Sequence, residues 1–348
     1  MSHVYAAVDL GSHTVRSLVA EVGKETGVVR PVEHKRDFTR FALTTEQDGS
    51  RLLLDRTSVE RVQHILSVYK DRFQTLGVKK VICGATGVFR KAENGAAILE
   101  SIKNRFGFFS FIASEREEAI WSTIGALQVL NSLKKEQGSG DLMSSKIAFF
   151  DLGGSSTEVV FLDNGEITWW KSFFIGAASL TRKYIPLAPA EPSWIEKARI
   201  HAEVMLQEFK DSVNTFSPDI LIGGGGTVAT LGAIKLKMTD YVPYRVCGIE
   251  IDRFWIDELL NHLASLSLEE RKSVPGLEKG REDVIIGGAI IVSVIGSLTG
   301  KKRLIITDSG FLEGVLIKGV LDEISGYDFE ETDQRAILES LTWKIEKR

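Results

Sequence analysis

Asp-Leu-Gly followed by small hydroxyl residues occurs twice in this chain, as Asp9-Leu10-Gly11-Ser12-His13-Thr14 and as Asp151-Leu152-Gly153-Gly154-Ser155-Ser156-Thr157, 142 residues apart. Each copy sits between two apolar stretches of strand length, residues 4–8 and 15–22 around the first, 146–150 and 158–162 around the second. Turn residues between two such stretches read as a β-hairpin. A repeat of this kind restricts the fold: two similar halves, each opening on a hairpin and continuing with mixed strands and helices, make a duplicated α/β architecture with a cleft between the two turns. The expected division is a first domain over 1–127 and a second over 128–348.

The remaining pattern fits that division. Residues 57–76 place Val59, Val62, Leu66, Tyr69 and Phe73 on one helical face, with Thr57 and Glu60 as a capping box and Gly77 just past the end. Strands are predicted at 28–34, 80–85, 108–113, 166–173, 219–223 and 303–307. Helices are predicted at 91–105, 114–133, from Ser193 with a capping box to Glu196, from Thr227, at 281–298 and from Gly310. Residues 134–145, with Gly-Ser-Gly at their centre, have the composition of a linker.

A hairpin tip of glycine and small hydroxyls exposes consecutive backbone N–H groups at close range, which suits phosphate oxygens. Gly11, Ser12, His13 and Thr14 in the first turn, and Gly153, Gly154, Ser155, Ser156 and Thr157 in the second, are the candidate phosphate binders. The aspartate before each turn, Asp9 or Asp151, is placed to hold a hard divalent cation such as Mg²⁺. A third cluster, Gly223-Gly224-Gly225-Gly226-Thr227, lies between a predicted strand and helix; its glycines permit close backbone approach, and the helix N-terminus favours an anion. In Ser114-Glu115-Arg116-Glu117-Glu118-Ala119, Glu117 has the spacing of a capping box. Glu118 lies about 100° further round the helix: either a general base on water or an acid favoured by the helix dipole. Arg90 and Arg16 are candidate phosphate clamps.

Composition closes off several classes. With 43 basic and 47 acidic residues and a net charge of −4, nothing indicates a nucleic-acid polymer or an anionic membrane as partner. The two cysteines, Cys83 and Cys247, form no CxxC pair, and the six histidines include no pair at metal-ligand spacing. The N-terminus lacks the pattern of a signal peptide, and the longest nearly apolar run, 284–298, has 15 residues, short of the ~18 of a span. A cytoplasmic protein is expected. Exposed apolar residues would allow a homodimer.

With these motifs in place, the chain resembles the exopolyphosphatase/guanosine pentaphosphatase (Ppx/GppA) family of the actin-like ATPase superfamily. Residues 7–16 look like its first phosphate loop, and Thr86 to Asn94 is similar to its T-x-x-x-R-x-A-x-N segment. Ser114 to Ala119 matches S-G-x-E-E-A, and Asp151 to Glu158 is similar to D-x-G-G-G-S-T-E. Residues 223–227 correspond to G-x-G-G-T, Pro275-Gly-Leu and Arg281-Glu-Asp283 to P-G-L and R-x-D, and Thr307 to Gly314 matches the closing S-x-x-G-L-R-E-G. The chain departs from those patterns at His13 (usually Asn), Ser155 (the third glycine), Glu115 (glycine) and Leu312 (arginine). About 30 residues follow Gly314, so the resemblance is to the short form without the family's C-terminal HD-type domain.

The resemblance implies a duplicated actin-like (ribonuclease H-like) α/β fold with two domains around a central cleft. It makes Glu118 the catalytic base and implicates Glu158 in catalysis beside the metal. It implies Mg²⁺ held near Asp9, Asp151 and Glu158, and phosphate bound by the two turns, by Arg90 and by Gly224, Gly225, Gly226 and Thr227. The reaction expected is release of terminal phosphate from inorganic polyphosphate or from guanosine pentaphosphate (pppGpp), a nucleotide of the stringent response. The rival expectations are a kinase of the same fold and a non-catalytic sensor of guanosine tetra- or pentaphosphate.

Overall fold

The computed structural model describes residues 2–39, 41, 43–45, 52–138, 141–324 and 334–345. The chain falls into two compact units, one built from residues up to 128 together with residues from 311 onward, the other from residues 129–310.

The first unit opens with an antiparallel meander of β1 (Ser2–Leu10), β2 (Thr14–Gly23) and β3 (Val28–Phe38). A small ladder of β4 (Leu43–Thr45) and β5 (Leu52–Leu54) precedes α1 (Arg56–Thr75). Next come β6 (Lys80–Ala85), parallel to β1, then α2 (Gly87–Lys91), α3 (Gly95–Phe106), β7 (Phe109–Ile112), parallel to β6, and α4 (Glu115–Glu136).

The second unit repeats the plan. Its meander is β8 (Ile147–Leu152), β9 (Thr157–Asp163) and β10 (Glu166–Phe173). The helices α5 (Ala177–Tyr184), α6 (Pro192–Met205) and α7 (Gln207–Phe216) lead to β11 (Ile220–Gly224), parallel to β8. Then follow α8 (Gly226–Lys235), β12 (Glu250–Asp252), α9 (Arg253–Ser265), α10 (Leu268–Lys272), α11 (Ile285–Thr299) and β13 (Arg303–Ile306). The strand order β10-β9-β8-β11-β13-β12 reproduces the first unit's β3-β2-β1-β6-β7 and adds an edge strand.

The chain ends in the first unit, with α12 (Phe311–Ile324), α13 (Gln334–Ser340) and β14 (Thr342–Trp343), which pairs with β3. This differs from the expected boundary, which gave residues 128–348 wholly to the second domain. The physical reason is a bare patch of sheet. A methyl group at Gly84 of β6 would lie 2.8 Å from the Phe311 ring and 2.9 Å from Val315, so α12 rests directly on the strand.

On the other face of that sheet α1 buries Val62, Leu66, Tyr69 and Phe73 against Val8, Leu10, Val15 and Val19. The expected apolar stripe is there, but the cap is not: Asp55, not Thr57, accepts the Ser58 N–H at 3.0 Å. Likewise α6 starts at Pro192 after Glu191 rather than at a Ser193 cap. The apolar run 284–298 is α11, almost wholly buried in the second unit's core. Among the described residues no helix is long and apolar enough to cross a membrane. Of the predicted linker, Ser139 and Gly140 lie outside the described residues.

His34 on β3 pairs across from Leu18, on the face that also carries Arg16 and Arg36. Burial first, then those two guanidinium groups, pushes its imidazole down to about 3. An unfolded chain restores a value of about 6.5. Between those values the unfolded state binds the extra proton, so stability contributed by neutral His34 is lost as pH falls from 6.5 towards 3. His34→Gln should therefore lose less thermal stability than the wild type between pH 7 and about 4.5, as melting curves at both pH values would show. Equal losses would remove His34 from the acid response.

Candidate active site

Each hairpin tip is closed by the same bond. Gly11 N–H donates to the Thr14 carbonyl and Gly153 N–H to the Ser156 carbonyl, both at 3.0 Å. In each, the carbonyls behind the tip are tied down. Ser12 and His13 C=O accept from Phe41 (2.9 Å) and Thr39 (3.0 Å). Gly153 C=O accepts from Ala177 at 3.0 Å, and Gly154 C=O from Ala178 at 2.9 Å and Ser179 at 3.0 Å, at the start of α5. A planar trans peptide sets C=O and N–H on opposite sides. The amides of His13 and Thr14, and of Gly154 and Ser155, are thereby turned away from their supports, as an anion site requires. Gly176 allows α5 to come so near, since a Cβ there would lie 2.5 Å from the Ser155 nitrogen.

The two hairpins differ in what faces the leading aspartate. In the first, Asp9 pairs across the ladder with Arg16, whose Nε and Nη2 donate to Asp9 Oδ2 at 3.1 and 2.9 Å. In the second, the residue opposite Asp151 is Glu158. Glu158 is 3% exposed and accepts a bond from the Ser172 hydroxyl, at 2.9 Å. Two carboxylates directly opposite each other repel, whereas Asp9 faces the Arg16 guanidinium. The expected metal role thus fits Asp151 and Glu158, whereas Asp9 is held in an ion pair. Among the described residues no group of three or more His, Cys, Asp or Glu is arranged to hold a metal ion. Two carboxylates, with phosphate oxygens and water completing the shell, is the pattern Mg²⁺ favours.

Glu118 lies in the first turn of α4, and its neighbour Glu117 closes the expected capping box with Ser114 (2.8 Å). Arg90 Nη1 donates to Glu118 Oε2 at 2.7 Å and to the Ala113 carbonyl at 2.6 Å. Both side chains are partly buried, 15% exposed for Glu118 and 20% for Arg90. The Thr86 N–H, just before α2, donates to Leu10 C=O at 3.3 Å and so ties the helix carrying Arg90 to the end of β1. The first unit thus assembles Asp9, Arg16, the tip, Arg90 and Glu118 on neighbouring segments.

In the glycine run only the last two residues reach the surface. Gly223 and Gly224 are buried against the Phe150 and Phe149 rings. Gly225 has φ +91°, and a Cβ on it would strike the Leu152 carbonyl and lie 2.8 Å from Asp151 Oδ1. Gly225→Ala should combine the strain of a positive-φ extended backbone open essentially to glycine alone, about 1–3 kcal/mol, with that collision. A clear fall in denaturation midpoint, larger than for Gly77→Ala in its open surroundings, is the expected result.

Two expected hydroxyl ligands are buried within the second unit. Thr157 is fully buried and donates to the Ile175 carbonyl at 2.6 Å. Thr227 is 2% exposed and packs against Gly288. Ser12, Thr14, Ser155 and Ser156 keep accessible surface.

Three residues beside these segments were not among the expected site residues. The Arg281 guanidinium lies against Gly226 with Nε on Glu278 at 3.0 Å. Gly310 stands beside Asp151, where a Cβ would be 3.5 Å from Oδ2. Ser172 holds Glu158. The Arg281 and Gly310 motifs were visible, but their separation along the chain hid the contact; Ser172 follows from the β9–β10 register.

The Ppx/GppA phosphatase family matches residues 18–323. A bifunctional 3-dehydroquinate synthase/phosphatase of Fusobacterium nucleatum is 26% identical over 90% of this chain, which spans 46% of that protein. Exopolyphosphatase 2 of Mycobacterium tuberculosis is 24% identical over 90% of this chain and 97% of its own length. The crystal structure of the Aquifex aeolicus Ppx/GppA family member superposes with a TM-score of 0.75 at 26% identity, covering 93% of this chain and 99% of that one. The duplicated sheet order described above is the actin-like fold shared with that structure.

Proposed function

The chain belongs to the Ppx/GppA phosphatase family, and from that membership we propose a Mg²⁺-dependent hydrolase that releases the terminal phosphate of a phosphoanhydride chain, inorganic polyphosphate or guanosine pentaphosphate. The observation that carries this reading is the paired hairpins. They share one turn geometry, yet one leading carboxylate is neutralised by Arg16 and the other faces Glu158.

Phosphoryl transfer needs positioning and charge neutralisation more than covalent chemistry from the protein. The outward amides of the two tips bind phosphate oxygens, aided by the hydroxyls of Ser12, Thr14, Ser155 and Ser156. Asp151 and Glu158 would hold Mg²⁺, which when bound supplies charge to offset the phosphates. Arg281 adds a fixed positive charge beside Gly226 at the start of α8. Glu118 takes the proton from the attacking water. Its bond to Arg90 keeps the carboxylate oriented until then.

The test is phosphate release from long-chain polyphosphate, tripolyphosphate and guanosine pentaphosphate, each with and without Mg²⁺. Release that needs Mg²⁺ supports the hydrolase, and the preferred substrate fixes its specificity. Tight binding of all three without release would overturn it in favour of a sensor that keeps Glu118 locked on Arg90.

A further inference from the structure

Between β10 and α5 the chain runs Phe173-Phe174-Ile175-Gly176. Phe173 and Ile175 belong to the second unit's core, 5% and 1% exposed, whereas Phe174 is 60% exposed. The Ile175 N–H donates to the Phe173 carbonyl at 2.8 Å, a three-residue turn with Phe174 at its centre. The Ile175 carbonyl in turn accepts the buried Thr157 hydroxyl. Both neighbours are anchored, so the backbone beneath the ring is fixed. Two residues on, Gly176 lies against the Gly154–Ser155 peptide. Ser172, two residues before Phe174, donates its hydroxyl to Glu158.

A single exposed apolar side chain on a protein surface is ordinary. This one differs in being a flat ring on a rigid turn beside a tip shaped for phosphate. Resting on the phosphate reading of that tip, we infer that Phe174 is a stacking platform for the planar base of a nucleoside polyphosphate, and so a residue that selects such a ligand over inorganic polyphosphate. Stacking tolerates any base because each presents a π-face. Phosphates on the tip and a base on the ring divide one ligand between an electrostatic and an apolar contact.

Phe174→Ala and Phe174→Tyr separate this from a structural role. With guanosine pentaphosphate, Phe174→Ala should raise KM about 5- to 150-fold, the range expected from losing one base–aromatic stack, and Phe174→Tyr should restore it. With tripolyphosphate the KM should stay within about twofold. An equal rise for both ligands would make Phe174 a support of the hairpin and overturn the inference; no rise for either would overturn it too. If the wild type hydrolyses neither, the hydrolase reading fails on its own, and equilibrium dialysis of guanosine tetraphosphate against tripolyphosphate reads the same contrast as Kd. Loss of binding confined to the guanosine compound supports the platform, and any other pattern, including no binding by the wild type, refutes it.

Discussion

Glu118→Gln should leave a folded protein that binds its substrate and turns it over about 10²- to 10⁴-fold more slowly, the contribution of a positioned general base. Glutamine keeps the length of glutamate, and its amide oxygen can still accept from Arg90 Nη1, which now holds Glu118 at 2.7 Å. The helix start is secured separately by Ser114 and Glu117, so folding should not suffer. What the variant lacks is a basic lone pair for the water proton. The loss should therefore fall on kcat with KM nearly unchanged. Arg90→Ala gives a different pattern. It releases Glu118 and removes the positive charge expected to clamp phosphate together, so KM should rise as well. Wild-type kcat in Glu118→Gln would remove the residue from the chemistry and leave it as the partner that fixes Arg90.

The sequence made the repeat legible because the feature repeated is a backbone one. Asp-Leu-Gly with small residues between apolar strands specifies a tight hairpin wherever it occurs, and both copies fold with the same Gly N–H to carbonyl closure. The strands adjoining each hairpin were also visible. Three things were not. Caps depended on which polar residue the chain geometry favours, so Asp55 displaced Thr57. The allegiance of α12 depended on the fit of Phe311 and Val315 over Gly84, a contact between segments more than 220 residues apart. The fate of individual hydroxyls depended on burial: Thr157 and Ser156 are adjacent in the same motif, yet only Thr157 is used up by the Ile175 carbonyl. Composition could not separate these cases, because each is decided by long-range packing.

Asp9 and Asp151 look equivalent in the repeat, and it is the residue seven positions later that distinguishes them: Arg16 in the first copy, Glu158 in the second. The strongest consequence falls on Glu158→Gln. Without added metal the wild type carries two opposed carboxylates in a largely buried strand pair. Removing one charge relieves that repulsion while the Ser172 hydroxyl keeps a partner in the amide. The metal-free variant should therefore melt at a higher temperature than the metal-free wild type. Addition of Mg²⁺ should reverse the order. Binding to the folded state alone stabilises by about 2.7 kcal/mol at 100 times Kd, and the variant forfeits most of it with one of its two anionic ligands gone. Turnover at fixed Mg²⁺ should drop at least about 100-fold, with partial recovery at high Mg²⁺ because Asp151 remains. Asp9→Asn should behave otherwise: it removes the negative charge facing Arg16, lowers stability with or without metal, and leaves the Mg²⁺ shift in melting temperature intact. A Glu158→Gln protein with the wild-type Mg²⁺ shift, or an Asp9→Asn protein without one, would move the cation from the second hairpin to the first.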